Sequence, residues 1–333
     1  MSVEKIFSEW KLKAFKPVYW LEGEEPYFID QVVDYAEHKI LSESEASFNL
    51  TVFYGKDADW AAVINACRRY PMFSERQVVL LKEAQHMKDI DKLEGYVEKP
   101  LTSTILIVAY KDKKVDARTK LAKNIKKFGE ILTTKKIPDY QMNDWAKEMI
   151  RNKGFEINPK ALLLLIDHLG NDLSRVENEV DKLALNMGRG KLIDENAIDK
   201  YVGISKEFNA FELQAAIAKK DLAKAIRIIQ YFESNPKAVP IQLILPALYG
   251  YFSKVYSIFG LDSISETTVA PIFYRNTFVA KEAITTSKSF GVQGIEKILL
   301  LLHEYNLRSI GVHDGGTSDS GLLKEMVVKM IHY

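Results

Sequence analysis

Short apolar runs alternate with amphipathic stretches over the first 138 residues of this 333-residue chain. Residues 17–22 (PVYWLE), 48–54 (FNLTVFY), 77–81 (QVVLL), 103–109 (STILIVA) and 130–133 (EILT) are short and rich in β-branched and aromatic residues, and they read as strands. Helical patterns separate them: Pro26 to about Leu41, then 58–69, 89–98 and 115–128. Pro26 suits an early helix position, where a missing N–H costs nothing. In the last stretch Leu121, Ile125 and Phe128 share one face. Strands alternating with helices predict a mostly parallel sheet covered on both faces.

Beyond Pro138 the strand signal fades. Residues 140–153, 158–168 and 171–187 read as three helices, with a short fourth near 194–201. Leu173, Val176, Val180, Leu183 and Met187 recur every three or four residues, the spacing of one buried helix face. Asn171 or Asp172 is placed to cap that helix. From Phe208 the pattern is helical again, over 208–219, 221–234, 237–260, 266–273, 277–290, 293–310 and 321–332. A polar, glycine-rich loop, Gly311–Ser320, precedes the last helix and is expected to be mobile. The predicted architecture is therefore α/β followed by all-α, divided at 1–138, 139–206 and 207–333.

Composition narrows the picture. Hydrophobic residues make up 47% and charged residues 27%, an ordinary globular balance. With 46 basic and 45 acidic residues, bulk charge does not mark a nucleic-acid binder, and any such site must be a local patch. The single cysteine, Cys67, rules out an internal disulfide and a cysteine-based zinc site. It falls on the apolar face of its predicted helix, which favours a buried thiol over a nucleophile. The N-terminus lacks a signal-peptide apolar core, and no run reaches the roughly 18–20 apolar residues that span a bilayer. The expected compartment is the cytoplasm, with no membrane partner.

An α/β sheet followed by helices suggests a nucleotide-hydrolysing fold, and the first strand-to-helix turn tests it. A phosphate loop needs glycines that let backbone N–H groups reach phosphates, a lysine, and a hydroxyl for magnesium. Here the turn reads Leu21-Glu22-Gly23-Glu24-Glu25-Pro26. It offers one glycine, no lysine, and three carboxylates that would repel a triphosphate. Pro26 also lacks an N–H. A magnesium-binding strand should end in Asp or Asp-Glu. The candidate ends Lys82-Glu83, with a lysine where the aspartate is wanted. Gly23, Glu24, Glu25, Lys82 and Glu83 therefore describe a degenerate nucleotide site, with no catalytic residue, no metal and no cofactor expected. The six histidines show no metal-ligand spacing, and His313-Asp314 is a weak metal pair in a polar loop. No G-x-S-x-G elbow is present.

One segment stands out. Tyr70-Pro71-Met72-Phe73 opens a turn between a predicted helix and strand, and carries three large apolar side chains. Composition alone favours Met72 and Phe73 tucked into the core. The alternative is an exposed plug for a partner's pocket, each side chain contributing roughly 1.5–3 kcal/mol on burial.

At these residues the chain resembles a family, the delta subunit of the bacterial DNA polymerase III clamp loader. The pieces are Tyr19-Trp20-Leu21-Glu22-Gly23-Glu24-Glu25, then Tyr70-Pro71-Met72-Phe73-Ser74-Glu75-Arg76-Gln77-Val78-Val79. Gly170-Asn171-Asp172-Leu173, Glu177-Asn178-Glu179-Val180-Asp181-Lys182-Leu183, Phe211-Glu212-Leu213 and Glu304-Tyr305-Asn306-Leu307-Arg308 follow in order. Each piece is weakly specific, and their order and spacing carry the resemblance. It implies an AAA+-like domain with a degenerate phosphate loop, a small helical lid and a helical collar that joins a ring. It also implies that an apolar pair from the 70–73 turn enters the sliding clamp and favours its open form, without ATP hydrolysis by this subunit. The family's usual pair is Leu-Phe, and Met72-Phe73 departs from it while keeping volume and apolarity. The implied partners are the sliding clamp, the ATPase and delta-prime-like subunits of the loader, and primer–template DNA. Intrinsic catalysis is not expected, although the complex serves a DNA-directed DNA polymerase, a nucleotidyltransferase.

Residues 111–127 hold eight basic and two acidic residues. Lys120, Lys123 and Lys127 share the helix face opposite Leu121, Ile125 and Phe128. Phosphate attraction and a merely solvated face weigh evenly there. Arg175 begins the helix where ATP-active relatives place a nucleotide sensor, and without a phosphate loop a structural or inter-subunit salt link is the better expectation. The rival functions are an active AAA+-type ATPase or helicase subunit and a helical scaffold protein.

Overall fold

The computed structural model describes residues 2–333 apart from 189, 206, 237–239 and 275. Five strands form the first sheet: β1 (Val18–Gly23), β2 (Leu50–Tyr54), β3 (Gln77–Lys82), β4 (Thr104–Lys111) and β5 (Glu130–Thr134). They are all parallel, in the order β2-β3-β4-β1-β5. In register, Trp20 of β1 stands beside Val108 of β4 on one side and Ile131 of β5 on the other.

Successive side chains of a strand point to opposite faces, so alternate residues feed two cores. Val18, Trp20, Val79, Leu81, Leu106 and Val108 pack against Val63 and Cys67 of helix Trp60–Cys67 and Leu121 and Ile125 of helix Lys120–Phe128. Tyr19, Leu21, Val78, Leu80, Ile105 and Ile107 pack on the other side against helices Val3–Lys11 and Pro26–Lys39. Burial on both faces is why these strands read as continuous apolar runs rather than alternating ones.

Two helices of this unit do not appear in the reading of the sequence. Helix α1 (Val3–Lys11) buries Val3, Ile6 and Trp10, one helical face, and Ser2 caps it. The Trp10 and Tyr19 rings stand edge to face with their centroids 5.1 Å apart, an aromatic contact of about 0.5–1.5 kcal/mol beyond burial. After α2 (Pro26–Lys39) comes α3 (Glu43–Asn49), which takes Phe48 and Asn49 from the predicted second strand. A reciprocal Ser42–Glu45 capping box sets its start. Next come α4 (Trp60–Cys67), the single turn α5 (Glu94–Val97) and α6 (Lys120–Phe128). Helix α6 begins later than predicted because the Thr119 hydroxyl caps the Ala122 N–H.

One unit ends at Ile137, and the second runs Pro138–Tyr333. The second unit opens with α7 (Asp139–Asn152), α8 (Pro159–Leu169), α9 (Leu173–Met187) and α10 (Glu195–Val202) around a core that includes Ile150, Leu165, Val176, Val180 and Ile198. Asp172, not Asn171, caps α9. Lys153, the C-cap of α7, binds both Glu177 (3.0 Å) and Asp181 (2.6 Å) of α9. Two two-residue strands, β6 (Glu156–Ile157) and β7 (Leu192–Ile193), pair here, too short to leave a pattern in the sequence.

A further apolar cluster gathers α11 (Ala210–Ala218), α12 (Leu222–Ser234), α13 (Ile241–Ile258), α14 (Glu266–Val269), α15 (Thr277–Ser309) and α16 (Asp319–Ile331). The predicted 237–260 helix begins among positions outside the described residues and is seen from Ile241. The α15 span holds the two predicted helices, 277–290 and 293–310, which meet at a kink at Gly291, whose φ of 64° is not helical. Glu212 of α11 binds Lys160 of α8 at 3.3 Å and Lys224 of α12 at 2.5 Å. In the Gly311–Ser320 loop, Asp314 accepts the Gly316 and Thr317 N–H groups and two donors from Arg308, which ties that part of the loop to α15.

Candidate functional site

The 70–73 turn stands between α4 and β3. Phe73 is 93% exposed, Tyr70 80% and Met72 54%, and Pro71 is half-buried. None of the three large side chains joins the core, so the tucked-in alternative does not describe this turn.

Buried polar groups hold its base. Asn49, 2% exposed, accepts the Met72 N–H through Oδ1 at 2.7 Å and donates Nδ2 to the Met72 carbonyl at 2.9 Å. Phe73 adopts φ 55°, a left-handed conformation rare for a bulky residue. Just beyond it the Ser74 hydroxyl donates to Glu45 Oε1 at 2.8 Å. The Ser42 N–H, with the Ser42 and Ser74 hydroxyls, holds the Glu45 carboxyl down to about 2. The Arg76 guanidinium lies 4.6 Å over the Phe15 ring. At the foot, buried Gln77 donates Nε2 to the Ala66, Arg69 and Thr104 oxygens at 3.1, 2.6 and 2.8 Å. Thr104 in turn donates to the Cys67 carbonyl at 2.9 Å. These bonds satisfy the carbonyls left open at the end of α4.

Asn49, Glu45, Gln77 and Thr104 were not singled out from the sequence. The Ser42-x-x-Glu45 spacing was a legible helix start. The polar residues at the edges of the FNLTVFY and QVVLL runs were the remaining signal.

At the β1–α2 turn every backbone donor is engaged or missing. Gly23 N–H bonds the Lys113 carbonyl (3.1 Å), Glu24 N–H the Thr134 carbonyl (3.2 Å) and Glu25 N–H the Thr134 hydroxyl (3.3 Å). Pro26 has no N–H, and Tyr27 N–H bonds the Glu25 carboxylate at 3.2 Å. Gly23 has φ 125°, and a Cβ there would stand 2.1 Å from the Thr134 carbonyl oxygen. This glycine serves a backbone crossing, not a phosphate. Glu22 is buried and accepts the Val115 N–H (2.8 Å) and the Thr133 hydroxyl (3.1 Å). Lys82 is paired with Glu37 at 2.6 Å, and Glu83 is exposed in a left-handed conformation. Strand β4 separates β3 from β1, which leaves the ends of β3 and β1 roughly 10 Å apart at ordinary strand spacing.

Lys120, Lys123 and Lys127 are all exposed on one face of α6, opposite buried Leu121 and Ile125, while Phe128 is half-buried. Other cations of the 111–127 stretch are already engaged: Lys111 with Asp30 (2.6 Å), Lys114 with Glu24 (3.7 Å) and Arg118 with Asp116 (2.7 Å).

Cys67 is buried, and burial pushes its thiol up from its ordinary value. Asp314 is bound to Arg308 rather than left for a metal, and no cluster of three metal-ligating side chains occurs among the described residues. The Arg175 side chain is exposed and makes no ion pair among the described residues, which leaves it open to a link with another subunit. No helix among the described residues is long and apolar enough to cross a membrane.

Residues 19–135 match the family model described as DNA polymerase III, delta subunit. The chain is 22% identical to DNA polymerase III subunit delta of Bacillus subtilis, covering 96% of this chain and 95% of that protein. It is 21% identical to a probable DNA polymerase III subunit delta of Aquifex aeolicus, over 86% and 83% of the two chains. Among solved structures, the Bacillus subtilis DNA clamp loader delta protein shares the fold. Its TM-score is 0.56 at 21% identity, with 99% of this chain and 100% of that one covered. The resemblance to delta subunits read from the short sequence pieces thus holds along the chain.

Proposed function

We propose that this chain is a delta-type subunit of the DNA polymerase III clamp loader, and that it binds the replicative sliding clamp and favours its open form for loading on primed DNA. It does so without hydrolysing ATP. The observation that carries this reading is the exposure of Met72 and Phe73 on a turn whose Met72 backbone is held at both its N–H and its C=O by buried Asn49. An exposed apolar pair on a fixed base suits a pocket in a protein partner.

The engaged amides of residues 23–25 and 27 support the second half, because a triphosphate would find no free backbone donor there. In this reading the first unit carries the clamp-binding turn. Residues 139–206 form the lid, and 207–333 form the collar that meets the ATPase and delta-prime-like subunits. The exposed lysines of α6 face primer–template DNA, and the protein works in the cytoplasm.

The test is clamp unloading from nicked circular DNA by the isolated subunit, with and without ATP. ATP-independent unloading that Met72→Ala plus Phe73→Ala abolishes is the expected result. Unloading that requires hydrolysable ATP, or that survives the double substitution, sinks the proposal.

A further inference from the structure

We infer that Asn49 is a positioning residue for the Met72–Phe73 plug, holding it in its docking conformation before the partner arrives. The inference rests on the proposed clamp contact at that turn.

Four observations carry it. Asn49 is 2% exposed, yet its carboxamide is spent on a residue 23 positions away, not on its own strand or helix end alone. It meets the N–H and the C=O of the same residue, Met72, at 2.7 and 2.9 Å. A two-point bond of this kind fixes both the position and the direction of the peptide, as a strand neighbour would. Its Nδ2 also donates to the Glu45 carbonyl at 3.0 Å, which fixes the carboxamide itself. Finally, Glu45 holds Ser74, so the chain is anchored on both sides of Phe73.

Phe73 needs such anchors. Its left-handed φ of 55° is disfavoured for a bulky side chain, and water offers an exposed phenylalanine nothing in return. Without the Asn49 and Glu45 bonds the turn would relax to other conformations and spend only part of its time presenting the ring outward. A partner that binds one conformation then sees a lower apparent affinity, in proportion to the competent fraction. The sequence order adds economy: α3, which carries both Glu45 and Asn49, is the element packed directly before strand β2.

The test uses the full-length chain with Asn49→Ala and Asn49→Asp, each alone and combined with Met72→Ala plus Phe73→Ala. Two quantities are read: the hydrogen-exchange rate of the Met72 amide in the free protein, and clamp affinity and association rate by surface-immobilised binding. Asn49→Ala is expected to speed Met72 exchange at least tenfold and to weaken clamp binding by about tenfold, mainly through slower association, if the competent fraction falls to about a tenth. Asn49→Asp keeps an acceptor for the Met72 N–H but sets a buried carboxylate oxygen against the Met72 and Glu45 carbonyls, and is expected to speed exchange and weaken binding at least as much as alanine. In the Met72→Ala, Phe73→Ala background neither Asn49 change has further effect on binding.

A purely structural role gives a different result. Stability falls, but affinity of the folded protein is unchanged, or the loss is equal in both backgrounds, and either outcome overturns the inference. If Asn49→Ala does not fold, the Asn49→Asp comparison decides in the same way. If wild type binds no clamp, the proposed function fails, and unchanged Met72 exchange in the folded Asn49 variant still overturns the positioning role.

Discussion

Arg308 donates from Nε and a terminal nitrogen to one oxygen of Asp314, Oδ2, at 2.9 Å each. The Asp314 side chain is only 5% exposed, and its other oxygen accepts the Gly316 and Thr317 N–H groups. Those backbone bonds, with the Arg308 guanidinium, hold the Asp314 carboxyl down to about 2. Arg308 also binds Glu325 at 3.1 Å, and Glu325 binds Lys329 at 2.7 Å. Glu325 is likewise held down to about 2, chiefly by Lys329 and then by Tyr305. Both carboxyls lie below their unfolded values, so the stability they contribute is present above the ordinary carboxylate range. It is lost as pH falls toward about 2. Urea unfolding followed from pH 5 down to pH 2.5 is expected to show a declining midpoint for wild type and a flatter decline for Asp314→Asn. Parallel declines would remove Asp314 from the account.

Gly23 is expected to be intolerant for a reason unrelated to phosphate. Gly23→Ala places a Cβ against the Thr134 carbonyl and forces a left-handed alanine. Thermal unfolding should drop by many degrees, whereas Glu24→Gln, at an exposed position, leaves it nearly unchanged. Neither wild type nor Glu24→Gln should bind ATP, because the amides of residues 23–25 are bonded to Lys113 and Thr134. Isothermal titration with magnesium-ATP up to millimolar concentration checks this, and saturable binding by wild type would contradict it.

Phe73→Ala separates folding from binding. The ring is 93% exposed, so its removal should leave the unfolding midpoint within experimental scatter. If the ring enters a partner pocket, clamp affinity should fall by roughly 10–100-fold, from burial worth roughly 1.5–3 kcal/mol. Met72→Ala should cost less in binding, since about half of Met72 is already covered by its own protein.

The lysines of α6 divide by partner. Replacing Lys120, Lys123 and Lys127 with alanine removes three cations outside the ion pairs and should flatten the salt dependence of DNA binding by the assembled loader. The log–log slope changes by up to about 2.7, at roughly 0.9 per phosphate contact. Replacing Lys111, Lys114 and Arg118 should change it less, because Asp30, Glu24 and Asp116 already neutralise them. Equal slopes for wild type and the first triple variant would return that face to solvent.

Cys67 offers a single internal reporter. Its burial and raised thiol predict that a maleimide reacts only when α4 opens from the sheet. Labelling in native buffer should be orders of magnitude slower than in 6 M guanidinium. Rapid native labelling would mean that this part of the core is open to solvent.

Much of the architecture was legible because it depends on local pattern. All five strands of the first sheet and the helices that follow them can be read from apolar period and turn residues. Helices α1 and α3 were not read, since each is short and sits in a mixed segment. In α3, the apolar run FNLTVFY looked like one strand although its first two residues end a helix. The loop at 311–320 looked unconstrained because its anchor, Asp314, is held partly by a residue on the preceding helix.

By itself the amino-acid sequence determined the α/β-then-helical order, the single inert cysteine and the missing phosphate-loop residues. Each is a matter of residue identity or of spacing within a few turns of chain. Only the tertiary structure decided whether Met72 and Phe73 face the core or the solvent, and what holds them. Burial of a turn is settled by the elements around it, and the Asn49–Met72 bond joins positions 23 residues apart. The same holds at Gly23, where Lys113 and Thr134 consume the amides that a nucleotide would need. Hydrogen-bond partners brought together by sheet order leave no mark in local periodicity.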